Sequence, residues 1–355
     1  MLSAIPLNED KQHPQVYFAR VPSIDLRTCV DFIARKHSPE DGERDKELEQ
    51  VLQHQHSRDF KDALGSKPFW RIVVLHDPTN QSTFTVTWVY HHALGDGTCG
   101  LVFHRTLLSA LQAASDSHSQ GTVDPIVASP STPHPPSKTY TLPHILAFLH
   151  QGHPRLRTLQ AAIATAILSS IDAEKYDSVA GSGPVSLRSM LKWDGGSLSD
   201  EFVLALAEYK YTHVRASTSP SAFWDEARAV RAAIQTELAK KGSDNVVSLL
   251  RYMSNMHKFF TDKVGKDRSI SFETSNLGVL KVESGKEAGW RIGRCVFSQS
   301  PNVTSSPVVC TVITGGDGCC VLAFSWLEGV LGGELVGRIV ESVGRQIEAL
   351  VIEEE

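Results

Sequence analysis

The stretch TWVYHHALGDGTCG, residues 87–100, decides the organisation of the first part of the chain. It places two adjacent histidines, His91 and His92, after an apolar run and before a Gly-Asp-Gly turn. Asp stabilises tight turns through its side chain and Gly tolerates positive φ, so Asp96 and Gly97 predict a turn here. Functional residues concentrate in such connections. We therefore interpret this stretch as the candidate site, with one histidine on the packed side and the other facing a cavity.

Both flanks of the histidines carry regular hydrophobic patterns. Residues 69–77 and 83–90 predict two strands joined by a turn at 78–81, because apolar side chains in the second strand alternate with polar ones. Residues 101–114 repeat apolar side chains at helical spacing. We therefore expect the histidines between the end of a strand and the start of a helix.

The rest of the sequence predicts an α/β chain of mixed α+β type in two parts. Residues 114–142 are rich in Ser, Thr and Pro and predict a linker between a part at 1–113 and a part at 143–355. The second part carries helical patterns at 144–150, 156–170, 220–242 and 334–351, and a hairpin pattern in which strands at 305–314 and 319–326 flank Gly-Gly-Asp-Gly. In the third of these helices, one side is predicted to be formed by Trp224, Ala227, Val230, Ile234 and Leu238.

The composition and the missing motifs exclude several function classes. A net charge of -5 gives no basic footprint for nucleic acid or for an anionic membrane. No apolar run reaches the roughly 20 residues of a membrane span, and the N-terminus lacks a signal-peptide pattern. Six cysteines without a C-x-x-C pair predict reduced thiols. No P-loop or G-x-S-x-G pattern is present. We expect a cytoplasmic monomer with no transmembrane segment that acts on small molecules.

Other interpretations of the polar residues near the motif are weaker. Adjacent residues on a strand point to opposite faces, so His91 and His92 are not expected to share a metal, and we predict no metal site. Two core histidines that are hydrogen-bonded to the backbone are the structural alternative. Cys99 is interpreted as a packing residue and not as a nucleophile. The His-Gln-His run at 54–56 lies in a charge-rich segment and is predicted to be solvated.

The pattern His-His-x-x-x-Asp-Gly at 91–97 resembles the signature of the CoA-dependent acyltransferase superfamily. That superfamily includes chloramphenicol acetyltransferase-like enzymes, alcohol acetyltransferases and nonribosomal peptide condensation domains. The flanking segments are similar to the alcohol acetyltransferase branch, especially its fungal members. The similar segments lie at 69–77, 100–111, 219–234, 271–280 and 315–343.

This resemblance implies a fold and a role for each residue of the motif. The fold has two chloramphenicol acetyltransferase-like subdomains, each a mixed sheet covered by helices, with a channel between them and the motif near its middle. The second histidine of the motif, matching His92, is the general base in such enzymes. Asp96 has a structural role in which it pairs with an arginine. His91 is a supporting residue, and Gly97 shapes the turn.

Ser275, Asn276 and Gly278 match a second motif, which borders the channel in similar proteins. A simple turn at the end of a strand is an equally good interpretation of the same residues. The substrate-channel role and the turn therefore both stay open for this segment.

The resemblance also implies the reactants and the mechanism. The expected co-substrate is an acyl-CoA, and acetyl-CoA is the first candidate. No permanently bound cofactor is expected. The acceptor is expected to be an alcohol or a hydroxylated secondary metabolite. An alcohol is a poor nucleophile at neutral pH, whereas an imidazole, with an ordinary pKa near 6.5, is largely neutral there and accepts the hydroxyl proton as attack begins. No acyl-enzyme is needed.

Two alternatives stay open at this point. A condensation-domain-like enzyme would use the same histidine on a carrier-protein thioester. Family members also begin with a helix and a strand ahead of the segment matched by residues 2–26, whereas Met1 stands directly at this segment. The N-terminal subdomain is therefore expected to be truncated, which leaves a catalytically inactive relative that acts as a binding protein as the second alternative.

Overall fold

The computed structural model describes residues 4–7, 17–37, 44–61, 66–116, 124–128, 154–191, 197–215, 220–245, 252, 255–281 and 289–352. The chain divides into two compact units. The first contains residues 1–140, 195–204 and 285–290, and the second contains residues 141–194, 205–284 and 291–355. Two short segments, 195–204 and 285–290, therefore belong with the first unit although they follow the linker in sequence. The predicted division, with boundaries at 113 and 143, places every later residue in the second part.

In its described residues, the first unit contains short sheets and two α-helices. Its elements are β1 (Ala4–Leu7), β2 (Tyr17–Arg20), β3 (Ser23–Asp25), β4 (Val30–Ala34), α1 (Lys46–His56), β5 (Trp70–Asp77), β6 (Asn80–Tyr90), α2 (Gly97–Asp116) and β7 (Ile126–Ala128). Strands β4, β5 and β6 lie side by side in that order, with β4 parallel to β5 and β5 antiparallel to β6. The predicted hairpin is confirmed, with its second strand beginning at Asn80.

The core of the first unit is mainly aromatic. Trp88 on β6 is buried, and its ring stacks on Phe103 of α2 with ring centroids 4.8 Å apart. The helix predicted from residue 101 is confirmed, and it starts earlier, at Gly97. The buried residues of this core are Cys29, Phe69, Trp70, Trp88, Leu94 and Cys99. Two of them, Leu94 and Cys99, come from the histidine stretch itself, so packing fixes that stretch from below.

The predicted linker is regular where the structure describes it. Residues 114–116 complete α2, and β7 pairs antiparallel with β3, with Val127 opposite Ile24. The β-branched residues Ile126 and Val127 favour a strand, and the unpaired backbone of β3 supplies the hydrogen bonds. The other residues of 114–142, except 124 and 125, lie outside the described residues, as does the helix predicted at 144–150.

The second unit is a five-stranded mixed sheet with helices. Its elements are α3 (Pro154–Ser170), β8 (Ser178–Ser186), β9 (Leu206–Val214), α4 (Pro220–Ala239), α5 (Met256–Thr261), β10 (Phe272–Val279), β11 (Val308–Thr314), β12 (Cys320–Trp326) and α6 (Gly333–Ile352). The strand order is β12-β11-β10-β8-β9. The β11–β12 hairpin and the helices predicted at 156–170, 220–242 and 334–351 are confirmed. Each unit therefore combines a mixed sheet with helices, as expected.

The core of the second unit lies between the sheet and helices α3 and α6, where Ile163, Val308 and Val343 are buried together. On α4 the predicted apolar side is wrong at one position. Ala227 and Val230 are buried, but Trp224 is 36% exposed, and Glu226 on the same helix bonds to His213. Among the helices of the described residues, none combines the length and apolarity that a bilayer crossing requires.

Candidate active site

The two histidines lie beyond the end of the strand and not on it. Strand β6 ends at Tyr90, His91 is the N-cap of a short 3-10 turn at His92–Leu94, and α2 begins at Gly97. The strand-to-helix placement is as predicted. The argument that neighbouring strand residues point to opposite faces does not apply here, because the chain has already left the sheet.

His91 holds the turn that carries His92. Its Nδ1 accepts a hydrogen bond from the backbone N–H of Ala93 at 3.1 Å, which satisfies one of the free donors at the start of the turn. Accepting this bond requires Nδ1 to be unprotonated. The His91 ring packs near Phe69 and Phe60, with ring centroids 5.0 and 6.2 Å away. Capping and packing together give His91 a supporting position, although its side chain remains partly open to solvent.

His92 is exposed at the first position of the 3-10 turn. Its carbonyl accepts the N–H of Gly95 at 3.2 Å, so the backbone that carries the ring is fixed. The ring itself is accessible to a reactant. The cavity expected beside one of the histidines stays a prediction.

Asp96 is fully buried and ties the turn to its surroundings. Its Oδ1 accepts the N–H of Thr98 at 3.1 Å, as a residue ahead of a helix does. Its own N–H donates to the carbonyl of Val203 at 3.3 Å, and its carbonyl accepts the hydroxyl of Tyr90 at 2.7 Å. These bonds place Asp96 in the framework beneath the histidines, and its expected pairing with an arginine stays a prediction.

Packing beneath the turn is tight around Cys99. This residue is fully buried, and its Sγ lies 3.6 Å from the carbonyl oxygen of Val203. A Cβ added at Gly95 would collide with that Sγ, so the close approach requires glycine. Gly97 is the first residue of α2. A fully buried thiol has no access to substrate, which agrees with the interpretation of Cys99 as a packing residue.

A segment from the second half of the sequence completes this site, and sequence reasoning missed it. Residues 195–204 belong to the first unit, where Phe202 meets Trp88 edge to face at 5.5 Å and Asp200 pairs with Arg105 at 2.8 Å. Val203 supplies the carbonyl for Asp96. The sequence signals the short turn at Leu198–Asp200, because Ser197 caps it, but nothing in the local pattern assigns its partner.

The other predicted site residues lie in the second unit. Ser275 is buried on β10, and Asn276 accepts the N–H of Gly278 through its side chain at 2.6 Å. Gly278 has φ +74°, and the register with β11 shifts between Asn276 and Val279. This geometry is a turn-like irregularity in a strand, to which the Asn276 side chain and the positive φ of Gly278 are both suited. Their role at a substrate channel stays a prediction.

The His-Gln-His run is predicted to be solvated, but Gln55 is buried and His56 is half-buried. Gln55 is buried, and its Oε1 accepts Nε of Arg71 at 2.5 Å. His54 is exposed, and burial lowers the pKa of His56. Within the described part of the chain, His, Cys, Asp and Glu side chains form no cluster of three or more that could hold a metal ion.

Replacing His91 with alanine is expected to release the 3-10 turn. The variant loses the acceptor for the Ala93 N–H, which costs about 1 kcal/mol for a typical N-cap. His91→Asn keeps a side-chain acceptor at this position and serves as the matched control. Amide hydrogen exchange at Ala93 should be faster in His91→Ala and close to wild type in His91→Asn. Equal protection in the two variants would contradict the capping role.

Comparison with known proteins gives this site its family context. The family model described as alcohol acetyltransferase matches residues 15–194, just over half of the chain. The chain is 28% identical to "Probable alcohol acetyltransferase crmB" of Aspergillus fumigatus, across 98% of this chain and 87% of that protein.

Solved structures show the same fold. The trichothecene 15-O-acetyltransferase of Fusarium sporotrichioides is similar with a TM-score of 0.58 at 11% identity, covering 97% of this chain and 82% of that one. The first condensation domain of the calcium-dependent antibiotic synthetase, in complex with a substrate analogue, is similar with a TM-score of 0.56 at 12% identity, covering 98% and 83%. The family match extends over the whole histidine stretch and supports an acyltransferase activity. The chain belongs to the alcohol acetyltransferase family.

Proposed function

We propose that this chain is an acyl-CoA-dependent O-acyltransferase, which transfers an acyl group, with acetyl first, from CoA to an alcohol or a hydroxylated secondary metabolite. The observation that carries the proposal is the placement of His92. Its ring is accessible, its turn is capped by His91, and a fully buried Asp96 ties the same turn to the framework. Membership of the alcohol acetyltransferase family supports an alcohol as the acyl acceptor.

His92 acts as the general base in the proposed reaction. It accepts the proton of the acceptor hydroxyl while the oxygen forms a bond to the thioester carbonyl carbon. The tetrahedral intermediate then collapses, the carbon–sulfur bond breaks, and the imidazolium returns the proton to the CoA sulfur. Products are an ester and free CoA thiol, and the enzyme is unchanged, so no acyl-enzyme forms. A positioned base of this kind contributes about 10²–10⁴-fold to the rate.

The exposure of His92 sets a condition on this mechanism. A hydroxyl must reach the ring to within about 3 Å before the proton can move. Water reaches an exposed ring as easily as an alcohol does, so bound reactants must displace it. We therefore expect binding of acyl-CoA to precede or accompany productive binding of the acceptor, with both reactants in one ternary complex.

Two other functions use the same geometry in different ways. A carrier-protein thioester as donor is the alternative within the class, and it is favoured by the fold shared with a condensation domain. A catalytically inactive relative would bind a ligand without turnover.

Release of free CoA thiol from acetyl-CoA, measured with a panel of primary alcohols and hydroxylated polycyclic compounds, tests the proposal. We expect acceptor-dependent thiol release together with the matching ester by mass spectrometry. The same panel with acetyl-loaded carrier protein is the parallel arm. Turnover from the carrier alone would assign the condensation-like alternative. Acceptor binding by calorimetry without turnover from either donor would assign the binding protein.

A further inference from the structure

The side chain of Tyr90 joins the two ends of the loop that carries both histidines. Tyr90 is the last residue of β6, and its hydroxyl donates to the carbonyl of Asp96 at 2.7 Å. The loop between them, residues 91–95, contains His91 and His92. Inside the loop, the N–H groups of Leu94 and Gly95 donate to the carbonyls of His91 and His92. These inner bonds shape the loop, whereas the Tyr90 bond joins its two ends.

The position of the Tyr90 hydroxyl is fixed by an aromatic stack. The Tyr90 ring lies on Trp88 with centroids 4.1 Å apart and planes 18° apart. Trp88 in turn lies on Phe103 of α2 at 4.8 Å and 11°, and Phe202 meets it edge to face. Stacked rings of this kind lose little freedom when they pack, because each has only two rotatable side-chain bonds. The stack therefore holds the hydroxyl where the Asp96 carbonyl needs it.

We propose that Tyr90 is a positioning residue for His92. Its hydroxyl closes the histidine loop, and the closed loop holds the His92 ring in the orientation that proton transfer requires. This proposal rests on the proposed function, in which His92 is the base. An orientation error of about 1 Å at a reacting group costs up to roughly 10²-fold in rate.

Removing the hydroxyl alone should leave the fold intact. The Asp96 carbonyl also accepts the N–H of Cys99 at 2.9 Å, so it keeps a partner in Tyr90→Phe. The phenylalanine ring keeps the stack on Trp88. The variant therefore separates the loop closure from the packing of the core.

Steady-state kinetics of Tyr90→Phe is the first measurement. We expect kcat to fall about 10- to 100-fold, with KM for both substrates changed by less than about twofold. Tyr176→Phe is the control, because this tyrosine is exposed in the second unit and loses only a surface hydroxyl. A purely structural role for Tyr90 would lower the melting temperature and leave kcat per folded molecule unchanged. That result would overturn the proposal.

Ring signals of ¹⁵N-labelled histidine give a readout that needs no activity. His92→Ala identifies the His92 signals by their loss, and we expect these signals to broaden or split in Tyr90→Phe and to stay unchanged in Tyr176→Phe. If wild type shows no acyl transfer but the His92 signals respond, the positioning role stands and the proposed function fails. If wild type turns over, and Tyr90→Phe leaves both kcat and the His92 signals unchanged, the positioning role fails and the proposed function stands.

Discussion

Replacing His92 with alanine is expected to lower kcat for acyl transfer by about 10²–10⁴-fold. The variant loses the group that accepts the hydroxyl proton, but it loses almost no packing, because the ring is exposed. KM for acyl-CoA and the free energy of unfolding should therefore change little. Thiol release under saturating acceptor measures kcat, and urea unfolding measures stability.

His54→Ala is the matched control for the His92 variant. His54 is exposed on α1, at the surface of the same unit, and it takes no part in the proposed site. It should retain wild-type kcat, which shows that losing an exposed histidine is not harmful in general. Full turnover in His92→Ala would refute the general-base role directly, whatever the control shows.

Acid is expected to destabilise the second unit through His213, a residue far from the motif in sequence. His213 lies on β9, is 1% exposed, and its Nδ1 is 2.7 Å from Oε1 of Glu226 on α4. Its Nε2 is 3.3 Å from the side-chain nitrogen of Gln160, whose oxygen accepts the hydroxyl of Tyr209. Tyr211 donates its hydroxyl to the other oxygen of Glu226 at 3.2 Å.

This network fixes the proton arrangement of His213. The Gln160 amide nitrogen can only donate, so Nε2 of His213 accepts and is unprotonated. The proton then resides on Nδ1 and is donated to the Glu226 carboxylate. Burial lowers the pKa of His213 to about 4, and burial also raises the pKa of Glu226. The pair is therefore a neutral imidazole beside a carboxylate near neutral pH, and not an ion pair.

The sign of the pH effect follows from the His213 pKa. The folded value of about 4 lies below the ordinary 6.5, so between these values the unfolded chain binds the proton and the folded chain does not. The free energy of unfolding therefore keeps its full value with respect to His213 above pH 6.5, and it decreases as the pH falls from 6.5 to about 4. This shift corresponds to about 3 kcal/mol. The raised pKa of Glu226 has the opposite effect on stability, because just above its ordinary pKa the folded chain binds the proton more readily than the unfolded chain. Burial also lowers the pKa of His104 in the first unit to about 4, so His104 adds to the loss of stability in acid that His213 causes.

Urea unfolding followed by circular dichroism from pH 8 to pH 4 measures this effect. His213→Gln keeps a donor for Glu226 without a titrating group, so its loss of stability over this range should be about 3 kcal/mol smaller than in wild type. Its absolute stability should be lower at pH 8, because the imidazole packs against Phe272. His257→Gln, at an exposed position on α5, should keep the wild-type slope. Parallel wild-type and His213→Gln curves would contradict the assignment.

The elements around the site could be predicted because their signals are local. Alternation in β6, helical spacing in α2 and the turn chemistry of Asp96 and Gly97 each depend on residues within one element. Periodicity also located α3, α4, α6 and the β11–β12 hairpin. The family followed from a short motif in this context.

The missed features all depend on partners that are distant in sequence. Helical spacing predicts Trp224 on the buried side of α4, but Trp224 is exposed and Glu226 on the same helix bonds to His213 on β9. Gln55 is buried because Arg71, on a later strand, needs an acceptor. Hydrophobic periodicity does not predict buried polar networks, because one hydrogen-bonded pair can place a polar residue on the apolar face of an element.

The Val203 carbonyl has a consequence for the order in which the protein is made. Cys99 and Val203 are 104 positions apart, although they meet beneath the histidine turn. At about 5–20 residues per second, a ribosome needs roughly 5–20 s to supply the second partner after the first. During that interval the Asp96 N–H and the Cys99 thiol of the nascent chain lack the Val203 carbonyl that accepts from them in the folded protein. The histidine loop should therefore reach its final packing only after Val203 has emerged from the ribosome.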